Sequence, residues 1–153
     1  MDTITVITIA IAIYGALLST YTAIDRLKEN KVKIESELRL GFILPSNKQL
    51  VFLSAGNHGR KPVSMSIGLF TTPDGSSFIA EGIGENPKMP CEISPGQKCE
   101  VWLEANLVAD FLAGQGSNGR VKLGGMFNDQ LGRSYKAKPL EFDIEKWRTS
   151  RPS

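Results

Sequence analysis

Hydrophobic and polar positions follow two different rhythms along this chain. From Thr3 through Ile24 there is no Asp, Glu, Lys, Arg, Asn, Gln, His or Pro. At ~1.5 Å per residue these 22 positions make about 33 Å of helix, against a bilayer core about 30 Å thick. The isoleucines at 7, 9, 11 and 13 alternate with Thr8, Ala10 and Ala12, a spacing that in isolation reads as a strand. Strands, however, average about 5–6 residues, and the length of the run decides for a helix. Threonine is frequent in it, and each hydroxyl can bond back to a carbonyl of the preceding turn, which lowers its cost in hydrocarbon. The pattern predicts a membrane-spanning helix; a buried core helix is the alternative with the same composition.

A cleaved secretory signal has a basic leading region, 7–15 apolar residues and a small-residue cleavage site. Here only the α-amino group and Asp2 precede the run, the run is longer, and no such site follows, so the segment is expected to be a retained, single-pass signal-anchor. Arg26, Lys28, Lys31 and Lys33 all lie on its C-terminal flank and none on the other side. The positive-inside rule therefore orients the chain with its N-terminus outside and the rest in the cytoplasm of a cell (plasma or inner) membrane; a periplasmic or extracellular domain is the alternative. Asp25 and Glu29 interrupt these cations and dilute any hold on anionic lipid. Residues 1–30 are thus read as anchor and charged collar, 31–145 as a β domain, and 146–153 as a C-terminal tail.

From Lys31 the period becomes two. Val32, Ile34, Leu38, Leu40 and Phe42 face one way and Lys33, Glu35, Glu37 and Arg39 the other, a long half-buried strand. Further strands are predicted at Gln49–Ala55, Pro62–Phe70, Ser77–Ala80, Lys98–Glu104, Arg120–Phe127 and Arg133–Ala137. Turn residues separate them at Asn57-His-Gly, Pro73-Asp-Gly, Ser94-Pro-Gly and Asp129-Gln-Leu-Gly. Between them Asn106 is placed to cap a short helix whose apolar stripe is Leu107, Val108, Phe111 and Leu112. About seven antiparallel strands with regular turns predict a mainly β sandwich, with one short helix closing an end.

The segments from Ala55-Gly-Asn-His-Gly-Arg-Lys-Pro-Val to Leu69-Phe, Ile93-Ser-Pro-Gly-Gln, and Phe127-Asn-Asp-Gln-Leu-Gly-Arg-Ser-Tyr carry a resemblance. They look like small uncharacterised bacterial or phage-borne proteins in which one N-terminal membrane helix precedes an immunoglobulin-like β-sandwich. The resemblance implies that fold for most of the chain and brings no chemistry with it. Cys91 and Cys99 depart from the antibody pattern, because they are too close in sequence to be its inter-sheet pair.

Candidate chemistry is sparse. Gly114-Gln-Gly-Ser-Asn-Gly119 spells the dinucleotide fingerprint, which requires a strand before it and a helix after it; here the predicted order is reversed, so a loop is expected. His58 is the only histidine and sits in a turn, with no evident Ser or Cys partner for nucleophilic catalysis. Two cysteines and one histidine fall short of the usual zinc ligand set. Cys91 and Cys99 flank a Pro-Gly turn as reduced thiols, or as a hairpin disulfide in an oxidising compartment. Acids such as Glu81, Glu85, Asp129 and Glu141 are scattered over loops and strand ends.

Charge argues against nucleic acid. All 18 basic residues and 15 of the 16 acidic ones follow the apolar run, leaving that part at +3 without a basic cluster. Within the run, Gly15, Ser19 and Ala23 recur at every fourth position, a spacing of small residues that lets helices approach closely or that merely faces lipid. Taken together these readings predict no enzyme, no cofactor and no metal. They point to a membrane-tethered interaction module with a protein partner, or to an accessory subunit assembled through the helix, with a homo-oligomer as one outcome.

Overall fold

The computed structural model describes residues 2–29, 31–44, 48–79 and 86–149. Helix α1 (Thr3–Glu29) is followed by β1 (Ile34–Ile43), β2 (Lys48–Asn57), β3 (Val63–Thr71), β4 (Ser77–Ile79), β5 (Cys91–Ile93) and β6 (Lys98–Glu104). Helix α2 (Ala105–Gly114), strands β7 (Arg120–Asp129), β8 (Ser134–Lys136) and β9 (Leu140–Asp143), and helix α3 (Ile144–Thr149) complete it. The described residues thus hold nine strands where seven were predicted. All paired strands are antiparallel.

One sheet has the order β1-β2-β6, the other β4-β3-β7-β8, with β5 also on β3 and β9 also on β7. The two additional strands, β5 and β9, are three and four residues long, too short for an alternating pattern to register. Ser94-Pro-Gly is not a hairpin turn. It carries the chain from one sheet to the other, because β5 pairs with β3 whereas β6 pairs with β2.

The inner faces are built from alternate residues, as the period of two requires: Val51, Leu53 and Ala55 on β2, Cys99, Val101 and Leu103 on β6, and Leu123 and Phe127 on β7 are buried. Between β3 and β7 the register sets Phe70 opposite Gly125 and Gly68 opposite Phe127, so each phenyl ring has a glycine as its cross-strand neighbour. A Cβ on Gly125 would lie 2.7 Å from Leu38 and Leu53 of the facing sheet, and one on Gly68 would lie 3.1 Å from Val101. The sheets meet closely where β3 and β7 lack side chains.

Helix α2 begins one residue before the expected cap. Glu104 occupies the N-cap without a side-chain hydrogen bond, and Asn106 Oδ1 accepts from the N–H of Leu107 instead. Its buried residues are Ala105, Val108, Ala109 and Leu112, while Leu107 and Phe111 remain 48% and 37% exposed. The buried stripe is therefore rotated from the predicted one, small alanines sitting where the helix lies closest to the core. Residues 146–149, predicted as tail, belong to α3: Asp143 Oδ1 accepts from the Lys146 N–H as a cap, and Trp147 is buried and stacked on Phe142 at 6.1 Å.

Helix α1 contributes no residue to this core. Burial of Trp147 predicts that Trp147→Ala lowers the stability of the β domain by about 3 kcal/mol. Urea denaturation of the full chain in mild detergent measures it, and a loss below about 0.5 kcal/mol, the size of an ordinary surface change, would show that α3 is an appendage.

Candidate functional site

The turns after β2 and β5 converge on Asn57, which is 1% exposed. Its Nδ2 donates to Lys61 O at 2.7 Å and to Ile93 O at 2.9 Å, and its Oδ1 accepts from the Gly59 N–H at 2.9 Å. Its backbone N–H donates to Gln97 O, and its carbonyl accepts from the Gly96 N–H. Every polar group of a buried amide is thereby satisfied, as burial demands, and the end of one sheet is tied to β5 of the other. Gly59 completes the knot: a Cβ there would stand 2.9 Å from Lys31 O and Lys33 N, so the chain leaving α1 is laid against this turn.

Beside the knot an open groove of about 810 Å³ runs along β1. Its charged lining comprises Glu35, Glu37 and Arg39 on β1, His58, Lys98, and Lys138 from the link between β8 and β9. His58 Nε2 lies 3.6 Å from Glu35 Oε2, both side chains being more than half exposed. That separation is longer than a hydrogen bond, and the groove lining, which includes no cysteine, is a surface of mixed charge. Arg39 Nη2 donates to Glu100 Oε2 at 2.8 Å and its guanidinium lies over the Phe52 ring.

The carboxylates with displaced pKa values serve turns. Asp129 is 4% exposed; its Oδ1 accepts from the N–H groups of Leu131 and Arg133, and its Oδ2 from the Tyr135 hydroxyl at 3.0 Å. Burial works against the charge, but these donors outweigh it and hold the carboxyl below its ordinary value. Tyr135 is displaced upward by burial and by donating to that carboxylate. Asp74 is lowered by the Thr72 hydroxyl, which donates to it, and by the Ser76 N–H. Both acids close hairpins, β7 to β8 and β3 to β4.

Cys91 and Cys99 are free thiols on strands of different sheets, so a bond between them would tie sheet to sheet and not span a hairpin. Burial, then a hydrogen bond with Cys91, pushes the Cys99 thiol up to about 12. Among the described residues no group of three or more His, Cys, Asp or Glu side chains is placed to hold a metal ion.

The other residues singled out from sequence are dispersed. Gly15, Ser19 and Ala23 lie exposed on α1, with nothing within 4 Å of a Cβ built on Gly15. Arg26, Lys31 and Lys33 are exposed, and Lys33 O also accepts from the His58 N–H at 2.8 Å, starting the β1–β2 ladder. The side chain of Lys28, and Ala80, Glu81 and Glu85, fall outside the described residues, while Glu141 is exposed on β9. The stretch from Gly114 to Gly119 ends α2 and precedes β7, with Ser117 N–H donating to Leu112 O, so it caps a helix.

Sequence reasoning missed Asn86. Its Oδ1 accepts from the Trp102 N–H and its Nδ2 donates to Trp102 O, both at 2.7 Å, so one side-chain amide pairs with Trp102 on the outer edge of β6 as a residue of a neighbouring strand would. No local pattern signals a partner sixteen positions away. Asn57 was visible only as a turn residue.

No protein-family model and no curated protein matches the chain. Among solved structures it is similar to an X-ray structure of a Northeast Structural Genomics Consortium target, SoR45. The likeness has 16% identity and a TM-score of 0.34, and covers 74% of this chain and 87% of that one. At that level it carries no inference about fold or activity.

Two outcomes test this chemistry. A folded-state carboxyl held low stabilises the protein above the unfolded value near ~3.9 and ceases to do so as pH falls through the folded one. Asp129→Asn should therefore cost about 1–2 kcal/mol at pH 7 and progressively less below about pH 4, read from urea midpoints; a gap independent of pH would remove the carboxylate from this role. Iodoacetamide at pH 8 should alkylate Cys91 well before Cys99 by mass spectrometry, since the thiolate is the reactive species. Equal rates would show that Cys99 is not sealed.

Proposed function

We propose that this chain is a single-pass, membrane-tethered protein-interaction module without catalytic activity of its own. The observation that carries the proposal is the state of α1. Thr3–Leu27 is long and apolar enough to cross a membrane, and none of its most apolar window is buried. Ten large aliphatic side chains, from Ile4 to Leu27, are 47% to 78% exposed. At about 1.5 kcal/mol or more each, removing them from water is worth on the order of 15 kcal/mol, comparable with the whole stability of a domain. Thr8, Thr20 and Thr22 bond back to the carbonyls of Ile4, Ala16 and Leu18, which suits their hydroxyls to hydrocarbon. The core assembled by the β domain includes no residue of α1, which argues against a core helix.

Arg26, Lys28, Lys31 and Lys33 support an orientation with the N-terminus outside and the β domain in the cytoplasm of a cell membrane. In that compartment Cys91 and Cys99 stay reduced. We read the domain as immunoglobulin-like, on the strength of two antiparallel sheets facing each other over a shared core. Its groove and loops bind a protein; the +3 charge with no basic cluster argues against nucleic acid, and no cofactor is invoked. The row Gly15, Ser19, Ala23 favours a second reading, an accessory subunit assembled through the helix.

Full-length protein should stay in the membrane fraction after carbonate washing, and deletion of residues 3–27 should release a soluble, folded β domain. Membrane-impermeant thiol reagents should reach Cys91 only after permeabilisation; labelling of intact cells would place the domain outside. Recovery of the whole chain in the carbonate supernatant, or a mature N-terminus downstream of Ile24, would end the tethering account.

A further inference from the structure

The two ends of the three-stranded sheet are treated differently. In an antiparallel ladder, alternate residues turn their N–H and C=O toward the partner and the rest turn them away. The Asn57 N–H to Gln97 O bond sets that alternation for β6 and turns Trp102 outward, where Asn86 seals it. The His58 N–H to Lys33 O bond sets it for β1 and turns Ile34, Ser36, Leu38, Leu40 and Phe42 outward. Among the described residues no backbone group pairs with these five. The edge is ten residues long, paired to β2 in unbroken register, and carries no proline or bulge, devices by which proteins protect such edges. Near the end of that edge Phe42 is 62% exposed.

We propose that β1 pairs with β1 of a second copy of this chain, antiparallel about a two-fold axis at Leu38, joining two three-stranded sheets into one of six. The inference rests on the reading of the chain as an interaction module, and names its partner. The register follows from charge. With Leu38 opposite itself, Ser36 faces Leu40 and Ile34 faces Phe42, all in hydrogen-bonded positions that use the outward backbone groups. Glu37 then stands opposite Arg39 in the closer, non-hydrogen-bonded positions, twice by symmetry. Arg39 would bridge its own Glu100 and the second copy's Glu37, a use its five donors permit. A slip that centres the axis on Ser36 sets Glu35 against Glu37 twice, like charges directly opposite. A slip that centres it on Leu40 leaves Arg39 opposite Gly41 and loses both ion pairs.

The test is the mass of the full-length chain in detergent micelles, by light scattering or sedimentation over a concentration series. Wild type should be a dimer. Glu37→Arg or Arg39→Glu should weaken it about tenfold or more, and the double variant E37R/R39E should restore it, an outcome a folding defect does not produce. Leu40→Pro, which removes an outward N–H and leaves the β2 ladder intact, should give a monomer. A chain monomeric at every concentration, or a dimer indifferent to Glu37 and Arg39, overturns the proposal. So does a dimer abolished only by Gly15→Leu with Ser19→Leu, which would assign pairing to α1. Carbonate extraction is read separately: a chain that leaves the membrane yet dimerises through β1 refutes tethering and keeps the edge.

Discussion

The close contact between the inner faces of the two sheets is the constraint from which the remaining features follow. Gly68 and Gly125 make it possible, each lying beside a phenylalanine of the neighbouring strand and beneath side chains of the opposite sheet. Interiors pack at crystal-like density, so a Cβ at either position would have to be accommodated by moving Leu38, Leu53, Val101 or Phe127. Leu53, Phe70 and Phe127 fill the gap between the sheets and are fully buried. Helix α1 contributes no residue to that core, and its large apolar side chains lie exposed.

Several buried polar groups of the domain serve its architecture. Asn57 joins the sheets, Asp129 and Tyr135 close a turn, Asn86 completes the edge of β6, and Cys99 lies sealed in the core. A group whose hydrogen-bonding capacity is taken up by its own fold has little left for a substrate, whereas catalytic groups typically keep a reactive position open in a cleft. Exposed charged side chains line the groove beside β1, Arg39 and Lys98 among them being paired with Glu100. The groove lies on the strand that immediately follows α1.

That strand is also where α1 and the β domain meet. Gly59 lets the β2–β3 turn lie on the backbone of Lys31 and Lys33, so two of the basic residues that follow α1 are also the first to engage the sheet. Under the proposed tethering, a second copy paired on β1 would bind within a few residues of the membrane surface, where confinement raises its effective concentration.

Sequence alone determined the elements whose signal is local. The uncharged run of α1, the alternation in β1, β2, β6 and β7, and the turn residues at Asp129 and Pro73 are written in neighbouring positions, because side-chain period and turn chemistry depend only on adjacent backbone. Strands β5 and β9 were not legible, since three or four residues carry no period and acquire strand geometry from β3 and β7. The tail-like residues 146–149 became helix through Trp147 meeting Phe142, and the stripe of α2 rotated toward whichever residues were small enough to approach the core. The sheet assignment of Cys91 and Cys99, the hub at Asn57 and the seal at Asn86 were decided only in three dimensions. Each depends on contacts between segments far apart in the chain, and no local spacing specifies which segments the packing of two sheets will bring together.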